Sequence, residues 1–193
     1  NSIIGSTIDY QKDLDDPFAA EMSNALRVAK DRNDRLNFFM RNFADIIRLP
    51  LPKKEVVNVQ QFVQDVAELM RPFAAKNNIK IEVKTANNKR DVSLDIRQME
   101  QVVVNVIKNA VEAIGEDGTI QIEIKNQPNR LIIRDNGKGL TDEQATQIFT
   151  PFYSDKAHGQ GIGLTLSREI LLNHGFEFSL KTVGEWTAFE IGF

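Results

Sequence analysis

The stretch Ile96-Arg-Gln-Met-Glu-Gln-Val-Val-Val-Asn-Val-Ile-Lys-Asn-Ala-Val-Glu-Ala-Ile114 combines a helical apolar pattern with a polar stripe. Its apolar residues recur at spacings of three and four, which predicts a helix over residues 96–114. Asn105, Lys108, Asn109 and Glu112 follow the same spacing and therefore share one face. Asparagine is a poor helix former, so its recurrence here favours a chemical role over a solvated surface. Asparagine oxygens suit Mg²⁺ and a lysine suits phosphate, so this face is a candidate binding site.

The residues around this helix predict an α/β domain. A further helix is expected from Asn58 to about Ala75, and two more at about 141–149 and 161–173. Alternating or short apolar runs predict strands at 79–84, 92–95, 120–124, 131–133, 176–183 and 186–192. This order indicates one layer of strands and at least three helices, which is a two-layer α+β sandwich.

The first fifty residues predict helices of a different kind. One long helix is expected over residues 17–49, because Pro17 follows the candidate cap Asp16 and Pro50 ends the pattern. Its apolar seam has strict heptad spacing and comprises Leu26, Ala29, Asn33, Leu36, Met40, Phe43 and Ile47. Such a seam calls for a partner helix, although a single helix packed on its own domain remains an alternative. A shorter helix over residues 2–14 would complete an antiparallel hairpin, and two such hairpins would form a dimeric four-helix bundle.

The chain therefore divides into three predicted parts. Residues 1–50 form the helical hairpin, residues 51–57 a linker rich in proline and lysine, and residues 58–193 the α/β domain.

Composition excludes several classes of function. The 193 residues carry a net charge of −3, which argues against a dedicated nucleic-acid-binding protein. There is no cysteine, so disulfides, thiolate nucleophiles and cysteine zinc sites are excluded. His158 and His174 are the only histidines, and no apolar run approaches the ~20 residues that span a bilayer.

Glycine is concentrated in the second half of the chain, where three further segments stand out. Ten of the eleven glycines follow residue 114, which indicates tight turns or close approach of the backbone to a ligand. Asp135-Asn-Gly-Lys-Gly-Leu140 places a carboxylate and two glycines after an apolar strand, although such a sequence is often only a turn. Ile148-Phe-Thr-Pro-Phe-Tyr-Ser-Asp-Lys156 predicts an ordered flap pinned by aromatic residues.

The third segment, Gly159-Gln-Gly-Ile-Gly-Leu164, opens a predicted helix. Backbone amides at a helix N-terminus form an anion site. The segment is neither a dinucleotide fingerprint nor a Walker P-loop, because no apolar strand precedes it and Gly-Lys-Ser/Thr is missing.

In order, these segments resemble the four sequence boxes of sensor histidine kinases. The N box is matched by Asn105-x-x-Lys-Asn109-Ala-x-Glu-Ala113 and the G1 box by Asp135-x-Gly-x-Gly139. The F box is matched by Phe149-x-Pro-Phe152 and the G2 box by Gly159-x-Gly-x-Gly-Leu164. Residues 56–193 thus resemble the ATP-binding domain of the GHKL superfamily, which has the Bergerat fold. Ala29-Lys-Asp-Arg-Asn33 and Ile46-Ile-Arg-Leu-Pro50 are similar to the second dimerisation helix of nitrogen-regulation-type kinases.

The resemblance implies a role for each site residue. Asn109 is expected to coordinate Mg²⁺, with Asn105 beside it and Lys108 near the phosphates of ATP, and these three are the candidate catalytic residues. Asp135 is expected to accept a hydrogen bond from the adenine amino group, with Gly137 and Gly139 giving the ring room. The remaining candidate ATP-binding residues are Phe149, Lys156, Gly159, Gly161, Gly163 and Leu164, where residues 149–160 would form the ATP lid. His174 is expected to be structural, and His158 a solvated lid residue.

The sequence departs from the family pattern at three places. Ser154-Asp155-Lys156 stands where two small hydroxyl residues and a lysine are usual, and Phe176 replaces a customary glycine. Asn1-Ser2-Ile3 resembles the tail of the phosphoacceptor box, which would place the acceptor histidine four positions before Asn1. On that alignment Asn1 would position water for dephosphorylation of a response regulator.

The resemblance implies the cytoplasmic catalytic portion of a bacterial two-component sensor kinase. It would bind Mg·ATP, form a homodimer through residues 1–50 and pass phosphate through a histidine to a response-regulator aspartate. The parent protein could be anchored in the inner membrane, and no nucleic-acid partner is expected. The alternatives are a non-catalytic adapter of the same fold and a serine kinase of the anti-sigma type.

Overall fold

The computed structural model describes residues 17–47, 49–84, 91–150, 153 and 161–193. The chain separates into two compact units, one ending at Arg48 and the other beginning at Leu49. Within the described residues, no helix is both long and apolar enough to cross a membrane.

The first unit contains one long helix, α1 (Pro17–Ile47). It confirms the helix predicted over residues 17–49, whereas the shorter helix predicted over residues 2–14 lies outside the described residues. The apolar side chains that α1 exposes include Phe18, Met22, Val28, Leu36 and Met40. Leu36 and Met40 belong to the predicted heptad seam, so part of that seam is exposed among the described residues of this unit.

The described residues of the second unit form four helices and seven strands. The helices are α2 (Val59–Ala75), α3 (Ile96–Ile114), α4 (Asp142–Gln147) and α5 (Gly163–His174). The strands are β1 (Glu55–Asn58), β2 (Ile79–Lys84), β3 (Asp91–Leu94), β4 (Gly118–Asn126), β5 (Asn129–Asp135), β6 (Glu177–Val183) and β7 (Trp186–Gly192). The mixed α/β fold that was predicted is confirmed.

The strands form two sheets. The main sheet has the order β2-β4-β5-β7-β6, in which β2 and β4 are parallel and the other neighbours are antiparallel. β1 and β3 form a separate antiparallel pair. β1 was not predicted, because three of its four residues lie in the proline- and lysine-rich segment and Val56 is exposed.

One face of the main sheet carries the core. Alternate residues of the central strands, such as Ile122, Ile133 and Phe189, are buried with apolar residues of α2, α3 and α5. On the opposite face, Ile132 lies between Glu123 and Glu190 of the neighbouring strands. Those two glutamates pair with Arg134 and Arg130 at 3.0 and 2.5 Å, so the outer face is polar.

Local hydrogen bonds set where the helices begin. Asn58 caps α2 by accepting the Gln61 N–H. Asp95 caps α3 by accepting the Gln98 N–H and also accepts the Lys53 N–H at 2.8 Å. Burial alone would raise the pKa of Asp95. The backbone hydrogen bonds from Lys53, Gln98 and Arg97 outweigh this effect and hold the pKa below its ordinary value. The segment before β1 is thereby tied to the start of α3.

Candidate nucleotide-binding site

Asn105 lies where α3 meets α5. Its Nδ2 donates to Ser167 Oγ at 3.0 Å. A Cβ atom at Gly163 would lie 2.3 Å from Asn105 Oδ1, so any side chain there would displace the Asn105 side chain. The first turn of α5 and the first asparagine of the polar stripe are therefore in direct contact.

The other end of α3 contacts the glycine-rich turn that follows β5. A Cβ at Gly137 would lie 2.6 Å from the carbonyl carbon of Ala113, so the absence of a side chain allows the turn to reach the helix backbone. The Lys138 N–H donates to Ala113 O at 3.1 Å, which satisfies a carbonyl near the C-terminus of α3. This close helix contact is a reason for glycine at position 137 that the sequence analysis did not anticipate.

Lys108 and Asn109 lie between these two contacts along α3. Asn109 is one turn after Asn105 and one turn before Ala113, and its side chain is half-buried, whereas Lys108 is exposed. α3 thus connects the start of α5, the predicted metal ligand and the turn after β5.

Asp135 is a buried carboxylate at the end of β5. Its Oδ1 accepts the Gly137 N–H at 3.0 Å. Burial raises the pKa of Asp135 from 3.8 to about 6, although the Gly137 hydrogen bond acts in the opposite direction. A carboxylate that is buried away from water, with a raised pKa, is typical of a binding site.

Two threonines beside Asp135 were missed by the sequence analysis. Thr187 is buried on β7 directly opposite Asp135, and Thr182 on β6 is directly opposite Thr187. Their hydroxyl oxygens are 3.2 Å apart, and Thr182 Oγ1 also accepts the Leu140 N–H at 2.9 Å. The sequence pattern indicates their position, because strand alternation places both threonines on the inward side with Leu180 and Phe189.

Two glycines of the site have backbone conformations that favour glycine. Gly139 has φ +75° and packs against Thr182, where a Cβ would lie 3.2 Å from the threonine methyl. Gly161 has φ +61° just before α5.

The start of α5 has the character of an anion site. Its N-cap residue is Ile162, which makes no side-chain capping hydrogen bond. The first-turn N–H groups of a helix have no partners within the helix, and they carry the positive end of its dipole. Gly163 and Leu164 are the first two residues of that turn, so a phosphate fits this position.

Phe149 connects the segment after α4 to the sheet. Its ring meets Phe178 edge-on, with centroids 5.2 Å apart, and lies 6.2 Å from the Phe189 ring. The aromatic anchoring that was predicted is present at this residue. Phe152, Lys156, His158 and Gly159 lie outside the described residues, as does Asn1.

His174 is buried at the end of α5 and has a structural role, as predicted. Its Nδ1 lies 2.7 Å from Ile170 O, which can only accept, so Nδ1 carries the proton. Its Nε2 then accepts the Asp95 N–H at 3.0 Å. Burial lowers the pKa of His174 below its ordinary value, and nearby Lys54 acts in the same direction. Both ring nitrogens are therefore engaged in the neutral form.

The residue types suit Mg²⁺ only together with nucleotide phosphates. No group of three or more His, Cys, Asp or Glu residues that could hold a metal occurs in the described part of the chain. An amide oxygen such as that of Asn109 supplies one ligand, and Mg²⁺ commonly takes the others from phosphates and water.

A separate cleft lies at the opposite end of the sheet. Its volume is about 580 Å³, and its lining includes Asn129, Glu177 and Gly192, which stand at the strand ends remote from Asp135. None of the predicted site residues lines it.

Comparison with known proteins identifies the family. Residues 94–193 match the family described as "Histidine kinase-, DNA gyrase B-, and HSP90-like ATPase". This match includes α3, the turn after β5 and the start of α5, and it covers more than half of the chain. The chain belongs to this family.

Similar proteins are named as kinases. The sensor histidine kinase ZraS of Salmonella typhimurium is 28% identical over 179 residues, which are 91% of this chain and 38% of that protein. The chain thus spans about two fifths of the length of this relative. The nitrogen-regulation subgroup stays a prediction.

Solved structures show the same fold. The catalytic domain of the histidine kinase ThkA superposes with a TM-score of 0.66 at 28% identity, over 72% of this chain and 93% of that domain. ThkA in complex with the response regulator TrrA has a TM-score of 0.73 at 25% identity, over 98% of this chain and 56% of that one.

Proposed function

We propose that this chain is the ATP-binding catalytic part of a two-component sensor histidine kinase. The proposal rests on two contacts that α3 makes with glycine-containing segments. Gly163 of α5 contacts Asn105 at one end, and Gly137 beside Asp135 contacts Ala113 at the other. This geometry fits a nucleotide that lies along α3, with its adenine near Asp135 and its phosphates near the start of α5.

The proposed roles follow from the chemistry of each group. Asp135 accepts a hydrogen bond from the adenine amino group, and Thr187 lies beside it as a hydroxyl partner. The N–H groups at the start of α5 bind phosphate, and Lys108 neutralises phosphate charge from α3. Asn109, with Asn105 adjacent, would hold Mg²⁺, which would neutralise phosphate charge when bound.

The proposed reaction is transfer of the γ-phosphoryl group. The bond from the γ-phosphorus to the bridging oxygen breaks, ADP leaves, and a histidine nitrogen forms the new bond to phosphorus. This chain contributes positioning and charge neutralisation to the step. His174 is unsuited as acceptor, because it is buried and both of its ring nitrogens make hydrogen bonds. An aspartate of a response regulator then receives the phosphoryl group, a partner supported by the complex of ThkA with TrrA.

Further proposals concern the whole protein. We expect a cytoplasmic location, since the reaction uses ATP, and a homodimer formed through residues 1–50. The ATP lid would extend over residues 149–160, with Lys156 and Gly159 contacting nucleotide.

A calorimetric titration with Mg·ATP tests the proposed function. The wild-type chain is expected to bind one nucleotide per chain, and Asp135→Asn is expected to lose most of that affinity because the amide presents a weaker acceptor to adenine. Ser93→Ala, an exposed change on β3, is the control that leaves binding intact. Equal affinity of Asp135→Asn and wild type would contradict the adenine contact.

A further inference from the structure

Two buried hydroxyl groups are tied to the glycine segment at the start of α5. Thr165 Oγ1 donates to Gly161 O at 3.1 Å, and Ser167 Oγ donates to Gly163 O at 3.0 Å. Only 3% of Thr165 and 2% of Ser167 is exposed. Each of the two glycines is therefore bonded to a hydroxyl four residues further along the chain.

Ser167 makes a second contact that reaches α3. Its hydroxyl has one proton, which goes to Gly163 O, and its oxygen accepts the Nδ2–H of Asn105 at 3.0 Å. This bond directs the amide nitrogen of Asn105 to Ser167, while Oδ1 lies against Gly163. Ser167 thus fixes the Asn105 side chain and the first turn of α5 to each other.

The two glycines give this segment more intrinsic backbone freedom than other residues would. Glycine restricts its own backbone less than any other residue, and Gly161 adopts a positive φ of +61°. The helix N-cap, Ile162, makes no side-chain hydrogen bond. Amides that bind phosphate must keep a fixed direction, because ordering them at the moment of binding reduces affinity.

We propose that Thr165 and Ser167 are positioning residues for the nucleotide phosphates. They set the direction of the amides at the start of α5, Thr165 through Gly161 and Ser167 through Gly163 and Asn105. This inference rests on the proposed function, since it assigns what fixes the phosphate end of that same site. The hydroxyls act through the backbone and Asn105.

Calorimetric titrations with ATP and with adenosine test the proposal, since adenosine lacks the phosphates. Thr165→Val and Ser167→Ala are each expected to weaken ATP binding about five- to tenfold, the value of one hydrogen bond, and to leave adenosine binding unchanged. Thr165→Ser keeps the hydroxyl and is expected to bind ATP like wild type. Thr146→Val removes a hydroxyl that donates to Glu143 O in α4 and serves as the matched control.

Thermal unfolding of each variant shows that it folds. Should Ser167→Ala not fold, Ser167→Cys keeps the approximate volume and weakens both hydrogen bonds, and the same selective loss of ATP affinity is expected. ATP affinity at the wild-type value in the folded variants would overturn the proposal, as would equal losses for ATP and adenosine. Both outcomes leave the proposed function standing if the wild type binds Mg·ATP, whereas a wild type that binds none overturns function and inference together.

Discussion

Asp135, the proposed adenine-binding residue, lowers the stability of the nucleotide-free protein. Its carboxylate is buried next to Thr187 and Ile120 and accepts only the Gly137 N–H among the hydrogen bonds described, so ionisation there is costly. The pKa of Asp135 is raised to about 6. Between about pH 4 and pH 6 the native state therefore keeps a proton that the unfolded state has already released. The free energy of unfolding therefore falls as pH rises through that window.

Asp135→Asn is expected to stabilise the nucleotide-free protein at neutral pH. The gain in the free energy of unfolding at pH 7 should be on the order of 1–3 kcal/mol and should shrink towards pH 4, where the wild-type carboxyl is protonated. Urea unfolding of both proteins at several pH values measures it, and the His174 contribution is common to both. A variant less stable than wild type at pH 7 would contradict the raised pKa.

The glycines of the site differ in why they are required. Gly137 and Gly163 allow close approach to α3, at Ala113 and Asn105, whereas Gly139 and Gly161 have positive φ. The sequence motif shows that glycine recurs, but the contact partner of each glycine depends on the packing of elements far apart in the chain.

Among the helices, α1 exposes apolar side chains that its predicted heptad seam should bury. Leu36 and Met40 remain 58% and 55% exposed and lie at heptad positions. Leucine and methionine at such positions typically pack against a second helix, which supports the proposed homodimer.

Charge placed on this seam is expected to break the homodimer. Light scattering should give twice the chain mass for the wild type and one chain mass for the Leu36→Glu, Met40→Glu double variant. Val28→Glu introduces the same side chain at another exposed apolar position, outside the seam, and should remain dimeric. A monomeric wild type at all accessible concentrations would contradict the proposal.

The long periodic elements were predictable from the sequence. The bounds of α3 and β2 agree with the predicted ones, because the apolar period of each element is strong. β1 was not, since its pairing with β3 depends on tertiary contact rather than on a pattern of its own. Thr165 and Ser167 were also missed, because a hydroxyl in a helix is informative only when its bonding partner is known.

In the proposed complex, the nucleotide lies along α3 between Asp135 and the start of α5. The cleft at the far end of the sheet provides the contrasting location, since its lining shares no residue with that site. The two locations are distinguishable by their backbone amides.

An amide NMR titration with Mg·ATP tests this claim most directly. We expect saturable shifts at Gly137, Gly161, Gly163 and Leu164, and unchanged signals at Asn129 and Glu177. Shifts confined to Asn129, Glu177 and their neighbours, or none at saturating Mg·ATP, would contradict the account.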